Sequence, residues 1–208
     1  MAVKIVGLLG GVASGKSWVA RQLQARGARL FDADRVGHEV LLEPEIKTAL
    51  RNRWGAAVFS KGEVSRPAIA KLVFAPEPAG TPELTFLENL VHPRITARLR
   101  DETAALASAQ GSHVLVLDAP ILLKAGWDRL CDRILFVDAP RDVRLARALH
   151  RGWTAAEFAA REAVQEPLAE KRDRADEVLD NSKTLKNMES SEPLERQLSQ
   201  MWGILTAE

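Results

Sequence analysis

Short runs of apolar, β-branched residues alternate with helix-period segments along most of this chain. Val3-Lys4-Ile5-Val6-Gly7-Leu8-Leu9 predicts a first strand. Val19 and Leu23 then recur at helical spacing within about 16–26, and Gly27 supplies the stop. Ala28-Arg29-Leu30-Phe31 predicts a second, short strand running into Asp32-Ala33-Asp34. From 35 to about 110 the pattern is helical, broken by Gly62, Pro67 and a loop over 75–82. Leu84, Leu87, Val91, Ile95 and Leu99 keep a three-to-four spacing across Pro93, which predicts a long helix kinked or restarted at the proline.

Two continuous apolar runs follow. Val114-Leu115-Val116-Leu117 ends at Asp118, and Ile134-Leu135-Phe136-Val137 ends at Asp138. Runs without alternation suit central parallel strands covered on both faces. Pro140 lies near a helix start, and Thr154-Ala155-Ala156-Glu157 has the form of a capping box. A last short strand over about 177–180 ends at Asp180-Asn181, before a terminal helix carrying Leu194, Leu198, Met201, Trp202 and Leu205. The sum is an α/β fold with a doubly wound, parallel, five-stranded sheet. Its core takes in about 1–34, 111–139 and 175–208. A helical insertion over about 35–110 is expected to carry the second substrate, and a helical lid over about 140–174.

Composition narrows the functional classes. The chain has 208 residues, and a net charge of +1 gives no reason to expect nucleic acid or an anionic membrane as partner. No apolar stretch approaches the roughly 18–20 residues of a membrane span. The start lacks the layout of a cleavable signal, so a cytoplasmic protein is expected, acting as a monomer or weak homo-oligomer. Cys131 is the single cysteine, which excludes an internal disulfide; no Cys/His group has zinc spacing, and a buried spectator thiol is expected.

The candidate chemistry starts at Gly10-Gly11-Val12-Ala13-Ser14-Gly15-Lys16-Ser17, which satisfies G-x-x-x-x-G-K-[ST] between a strand and a helix. Glycines let the backbone approach a polyphosphate, successive amides form a concave anion nest, and the helix N-terminus adds a favourable dipole. Lys16 would reach the β and γ phosphates and the Ser17 hydroxyl would ligate Mg²⁺. ATP is the expected nucleotide.

Phosphoryl transfer also needs a carboxylate for the metal, a group that aligns the acceptor hydroxyl, and further cations. Asp32 and Asp34 share one orientation if the chain stays extended there. Asp34 then serves the acceptor and Asp32 orients water around Mg²⁺; both also fit a helix N-cap. Asp118 fits either a water-mediated metal carboxylate or a turn residue. Arg144, Arg147 and Arg151 fall on one face of a helix. That face is either a solvated stripe or part of a mobile lid delivering charge to the transfer site. His92 reads as an ordinary packed residue of an apolar helix.

The ordered set of motifs resembles the dephospho-coenzyme A kinase family over approximately 3–182. The resemblance rests on the loop at 10–17, Phe31-Asp32-Ala33-Asp34, Val91-His92-Pro93-Arg94-Ile95 and Leu117-Asp118-Ala119-Pro120-Ile121-Leu122-Leu123. Arg147 with Arg151, and Gln165, Lys171 and Ala175–Asn181, complete it. It implies a P-loop kinase fold that phosphorylates the 3′-hydroxyl of dephospho-coenzyme A with ATP. It implies catalytic Lys16, Asp34, Arg147 and Arg151. Gly11, Val12, Ala13, Ser14, Gly15, Lys16, Ser17, Trp18 and Asn181 would bind ATP; Asp32, Asp34, His92 and Asp118 would bind the substrate. The chain departs from the family pattern at Trp18, Lys124 and Gly152, and Asn187–Pro193 lengthens the connection to the last helix. Another P-loop small-molecule or nucleoside monophosphate kinase is the nearest alternative, and a nucleotide-dependent regulatory module the more distant one.

Overall fold

The computed structural model describes residues 2–182 and 192–207. The chain opens with β1 (Lys4–Gly10), α1 (Lys16–Ala25) and β2 (Arg29–Asp32). There follow α2 (Ala33–Val40), α3 (Pro44–Trp54), β3 (Phe59–Ser60), β4 (Glu63–Val64), α4 (Arg66–Val73) and α5 (Gly80–Ala107). The remainder is β5 (Val114–Asp118), β6 (Arg133–Asp138), α6 (Arg141–His150), α7 (Ala155–Ala163), α8 (Leu168–Asp173), β7 (Glu177–Asp180) and α9 (Glu192–Thr206).

Five strands form the expected parallel sheet, in the order β2-β5-β1-β6-β7. Val6 of β1 pairs with Val116 on one side and Arg133 on the other. The chain leaves β1 toward one edge and β6 toward the other, so the carboxyl ends of these two neighbours flank the switch point where open sheets bind ligands.

Contacts divide the chain into two units, Asp32–Ala104 and the rest. In the sheet unit, α1 and α9 cover one face. Val19 and Leu23 from α1 and Leu194, Leu198, Met201 and Leu205 from α9 bury against Val6, Leu8, Val116, Leu135 and Val137. Phe136 and Leu117, at alternate strand positions, are equally buried. That two-sided burial is why these strands read as unbroken apolar runs. Cys131 packs where a Cβ on Gly7 would fall, 2.8 Å from its Sγ. Burial, then Asp128 and Asp132, push the thiol up to about 12, so it is unreactive at neutral pH, as a spectator should be.

The Asp32–Ala104 unit is mostly helical and buries Val36, Val40, Ile46, Leu50, Ile69, Val73, Val91, Ile95 and Leu99. Glu43 accepts from Arg94 at 3.0 Å and Arg98 at 2.8 Å, tying the start of α3 to α5. Two expectations change here. Gly62 does not interrupt a helix; with Lys61 it forms the positive-φ turn of the β3–β4 hairpin. Pro67 sits in the first turn of α4 and starts it. The long helix expected across Pro93 is present as α5, continuous through the proline. The lengthened connection at Asn187–Pro193 lies outside the described residues up to position 191. None of the described helices is long and apolar enough to cross a membrane.

Candidate phosphate-binding site

Beyond Gly10 the backbone turns through Ala13 at φ 60 and Gly15 at φ 102, both in the left-handed region. These reversals give the loop its concave run of amides. The Ser14 amide donates to the Gly11 carbonyl at 3.1 Å, and the Gly15 carbonyl accepts from Trp18 and Val19. Helix α1 starts at Lys16 with no side-chain cap, so its first-turn amides at Lys16 and Ser17 precede any intrahelical acceptor. The Ser14 hydroxyl, 1% exposed as a residue, has no hydrogen-bond partner among the described residues. A strained loop, an uncapped helix start and an orphaned hydroxyl together fit a polyphosphate ligand.

Gly15 answers a second demand. A Cβ there would collide with Asn181 Nδ2, besides being strained at its positive φ. Gly15→Ala is therefore expected to weaken ADP binding by at least about tenfold in calorimetric titration, equivalent to roughly 1.4 kcal/mol. Unchanged affinity would show that the loop tolerates displacement of Asn181.

Lys16 pairs with Asp118 at the carboxyl end of β5, each side chain 18% exposed. The loop ammonium thus has a built-in counter-ion, and Asp118 is more than a turn residue. Ser17 is exposed one position further along α1. Trp18 packs its ring against the sheet core, and its amide is already given to Gly15.

Arginines of the α6 region behave differently from a solvated stripe. Helix α6 ends at His150, so only Arg144 and Arg147 share its face, and they are 3% and 9% exposed. Arg144 donates to Ala139 O and pairs with Glu162 at 2.7 Å. Burial raises the Glu162 pKa, and bonds from Arg141 and Arg144 more than offset it, holding this carboxyl below its ordinary range. Arg147 donates to Ser14 O at 2.9 Å, Asn181 O at 2.8 Å and Asn181 Oδ1 at 3.1 Å. Asn181 Nδ2 also reaches Ser14 O, at 2.7 Å. Burial, then the charge of Arg151, pushes the Arg147 pKa down. Arg147 is thus bonded to the loop backbone, which sets aside the solvated-stripe alternative for this residue.

Gly152, at φ 83, stops α6. Its amide bonds Leu149 O and the Trp153 amide bonds Ala148 O, the two bonds of a Schellman motif. The departure at 152 is thereby explained, because the turn favours glycine. It releases Arg151 and Trp153 into the wall of a cavity of about 490 Å³ shared with Gly10–Ser17.

That cavity also takes in Lys124, Arg161, Gln165, Glu166 and Lys171, none of which the sequence placed in the site. Arg161 lies over the Trp153 ring at 4.2 Å, and the Lys124 amide donates to Glu166 at 3.2 Å. The available signals were Gln165 with Lys171 in the family pattern and Lys124 as a departure from it. By composition, Ala169-Glu170-Lys171-Arg172-Asp173 reads as a solvated helix.

Asp32, Asp34 and His92 belong to the Asp32–Ala104 unit. The chain does not stay extended past Asp32. Asp32 caps α2, accepting from the Arg35 amide at 2.9 Å, and Asp34 is exposed in the first turn of that helix. The shared strand-face orientation is therefore replaced by a helix start, in which the capping bond competes with extension. His92 is half-buried in α5.

The dephospho-CoA kinase family model matches residues 4–187. The chain belongs to the dephospho-CoA kinase family. A dephospho-CoA kinase of Deinococcus radiodurans is 41% identical over 185 residues, covering 88% of this chain and 86% of the relative. The crystal structure of TT1252 from Thermus thermophilus is 32% identical, superposes with a TM-score of 0.80 and covers both chains fully. Dephospho-CoA kinase from Campylobacter jejuni shares the fold at TM-score 0.62 and 16% identity, covering 99% of this chain and 98% of that one. Membership of a kinase family carries with it the use of ATP, for which the loop is built.

Proposed function

We propose that this protein transfers the γ-phosphoryl group of ATP to the 3′-hydroxyl of dephospho-coenzyme A, giving coenzyme A and ADP. The observation that carries this reading is the loop at Gly10–Ser17 standing at the head of a family match that runs from 4 to 187. In the transfer, a bond forms between the acceptor oxygen and the γ-phosphorus. The bond from that phosphorus to the β,γ-bridging oxygen breaks, and the hydroxyl proton is released. Loop amides and Lys16 hold the donor's phosphates, and Arg151 in the cavity wall offsets charge on the transferring group. Arg147 and Asn181 hold the Ser14 carbonyl, which fixes the direction of the neighbouring amides. Asp34 aligns the acceptor hydroxyl, the main service a carboxylate of ordinary basicity gives at neutral pH.

Mg²⁺ fits the donor set. It binds through one or two protein oxygens plus substrate phosphates and water, which suits the Ser17 hydroxyl, with Asp118 or Asp32 acting through water. Held by these residues, the ion would supply positive charge to the nucleotide's phosphates.

A coupled assay of ADP release, with dephospho-coenzyme A set against AMP and shikimate, tests the substrate; turnover on either rival and none on dephospho-coenzyme A overturns it. Asp34→Asn is expected to lower kcat by about 10²-fold with KM for ATP within about twofold. Near-parental turnover would remove Asp34 from the transfer step.

A further inference from the structure

Lys171 is an ammonium that nothing in the transfer scheme employs. It is 1% exposed, in α8, and it lines the same cavity as Lys16 and the phosphate loop. Its two acceptors are distant, Gln165 Oε1 at 3.3 Å and Glu166 Oε2 at 3.4 Å. Glu166 is shared, since its other oxygen takes the Lys124 amide. Helix α8 is pressed against the loop: one turn before Lys171, Leu168 Cδ2 lies 3.2 Å from where a Gly11 Cβ would sit.

Burying an ammonium is costly unless close anions and hydrogen bonds compensate. Here burial pushes Lys171 down, Glu166 opposes this only in part, and the charge of Lys16 pushes it down again. Two ammonium groups therefore share one cavity. The Asp118 carboxylate is taken up by Lys16, and the nearest carboxylate to Lys171 stands at the limit of hydrogen-bond range.

We propose that Lys171 is a second polyphosphate-binding cation, placed by α8 beside Lys16 to meet the phosphate tail of the nucleotide. This rests on the cavity being the ATP site. Glu166 and Gln165 hold the ammonium in place; a polyphosphate would offer it a closer anion, while Glu166 keeps its bond to the Lys124 amide. Pairing through charge-assisted bonds in a partly dry site is the setting where such contacts are strongest.

Calorimetric titration with inorganic tripolyphosphate and with the β,γ-imido analogue of ATP tests the proposal. Lys171→Met is expected to weaken both ligands by about 30-fold, and Lys171→Arg to recover most of that loss. Thermal unfolding of each variant reports whether the fold survives. A merely structural lysine predicts the opposite pattern: lowered thermal stability, affinity within about threefold of the parent below the transition, and no recovery by arginine. The parent protein gives an independent reading. With ¹³C-labelled lysine, the ε-methylene resonance of Lys171, assigned by its loss in Lys171→Arg, should move when tripolyphosphate is added. A stationary resonance alongside a moving Lys16 resonance overturns the proposal alone. A parent that binds neither ligand overturns the ATP site together with it.

Discussion

Lys16→Met is expected to lower kcat by about 10³-fold while leaving the protein folded. Removing one preorganised donor to a transition-state oxygen costs about 10²–10³ in rate, and Lys16 carries a full charge, so the upper end applies. The stability change is smaller and comes from Asp118. That side chain is 18% exposed and would lose its ammonium partner. Its situation lies between a surface pair, worth about 0–1 kcal/mol, and a fully buried one, whose disruption costs about 3–5 kcal/mol. A loss of about 1–2 kcal/mol follows, corresponding to roughly 2–8 °C in Tm for a chain of this size. Single-turnover kinetics at saturating ATP separates the two effects. A kcat within tenfold of the parent would deny Lys16 its part in the transfer.

Arg147→Gln is expected to act mainly on the loop. At least three hydrogen bonds vanish, two to Asn181 and one to Ser14 O, in a residue 9% exposed. Acceptors left unsatisfied away from water cost about 1–3 kcal/mol each, and Asn181 Nδ2 still serves Ser14 O. The net loss is therefore about 3 kcal/mol, a fall in Tm of roughly 6–12 °C. With the loop amides no longer held in place, KM for ATP should rise more than about tenfold, ahead of any fall in kcat. Arg151→Gln should show the reverse, a fall in kcat with Tm nearly unchanged, since Arg151 is exposed in the cavity wall. An unaltered Tm and a pure kcat defect in Arg147→Gln would make it a direct phosphate contact instead.

Much of this arrangement was legible in the sequence because its signals are local. The strands of the sheet announce themselves by two-sided burial, and the Thr154–Glu157 capping box is present with both of its bonds. The phosphate loop was legible for the same reason, since glycine positions, lysine and serine all fall within eight residues. Part of what was not legible depends on contacts distant along the chain. Arg147 reads as one tooth of a basic stripe until Ser14 and Asn181 are brought to it from 133 and 34 residues away. Lys171 sits in a run of charges that composition would leave in water, yet it is buried beside the loop. Asp32 was a contest between two local states, and a single capping bond to Arg35 decided it. The β3–β4 hairpin escaped because two-residue strands show no alternation.

The pairing of Lys16 with Asp118 also sets a threshold for what the loop will accept. A small monovalent anion offers the ammonium no more than the carboxylate already does, so it gains little by displacing it. A tail bearing several negative charges can replace that carboxylate and still satisfy the neighbouring amides. The pairing thereby favours a polyphosphate over chloride or a single carboxylate.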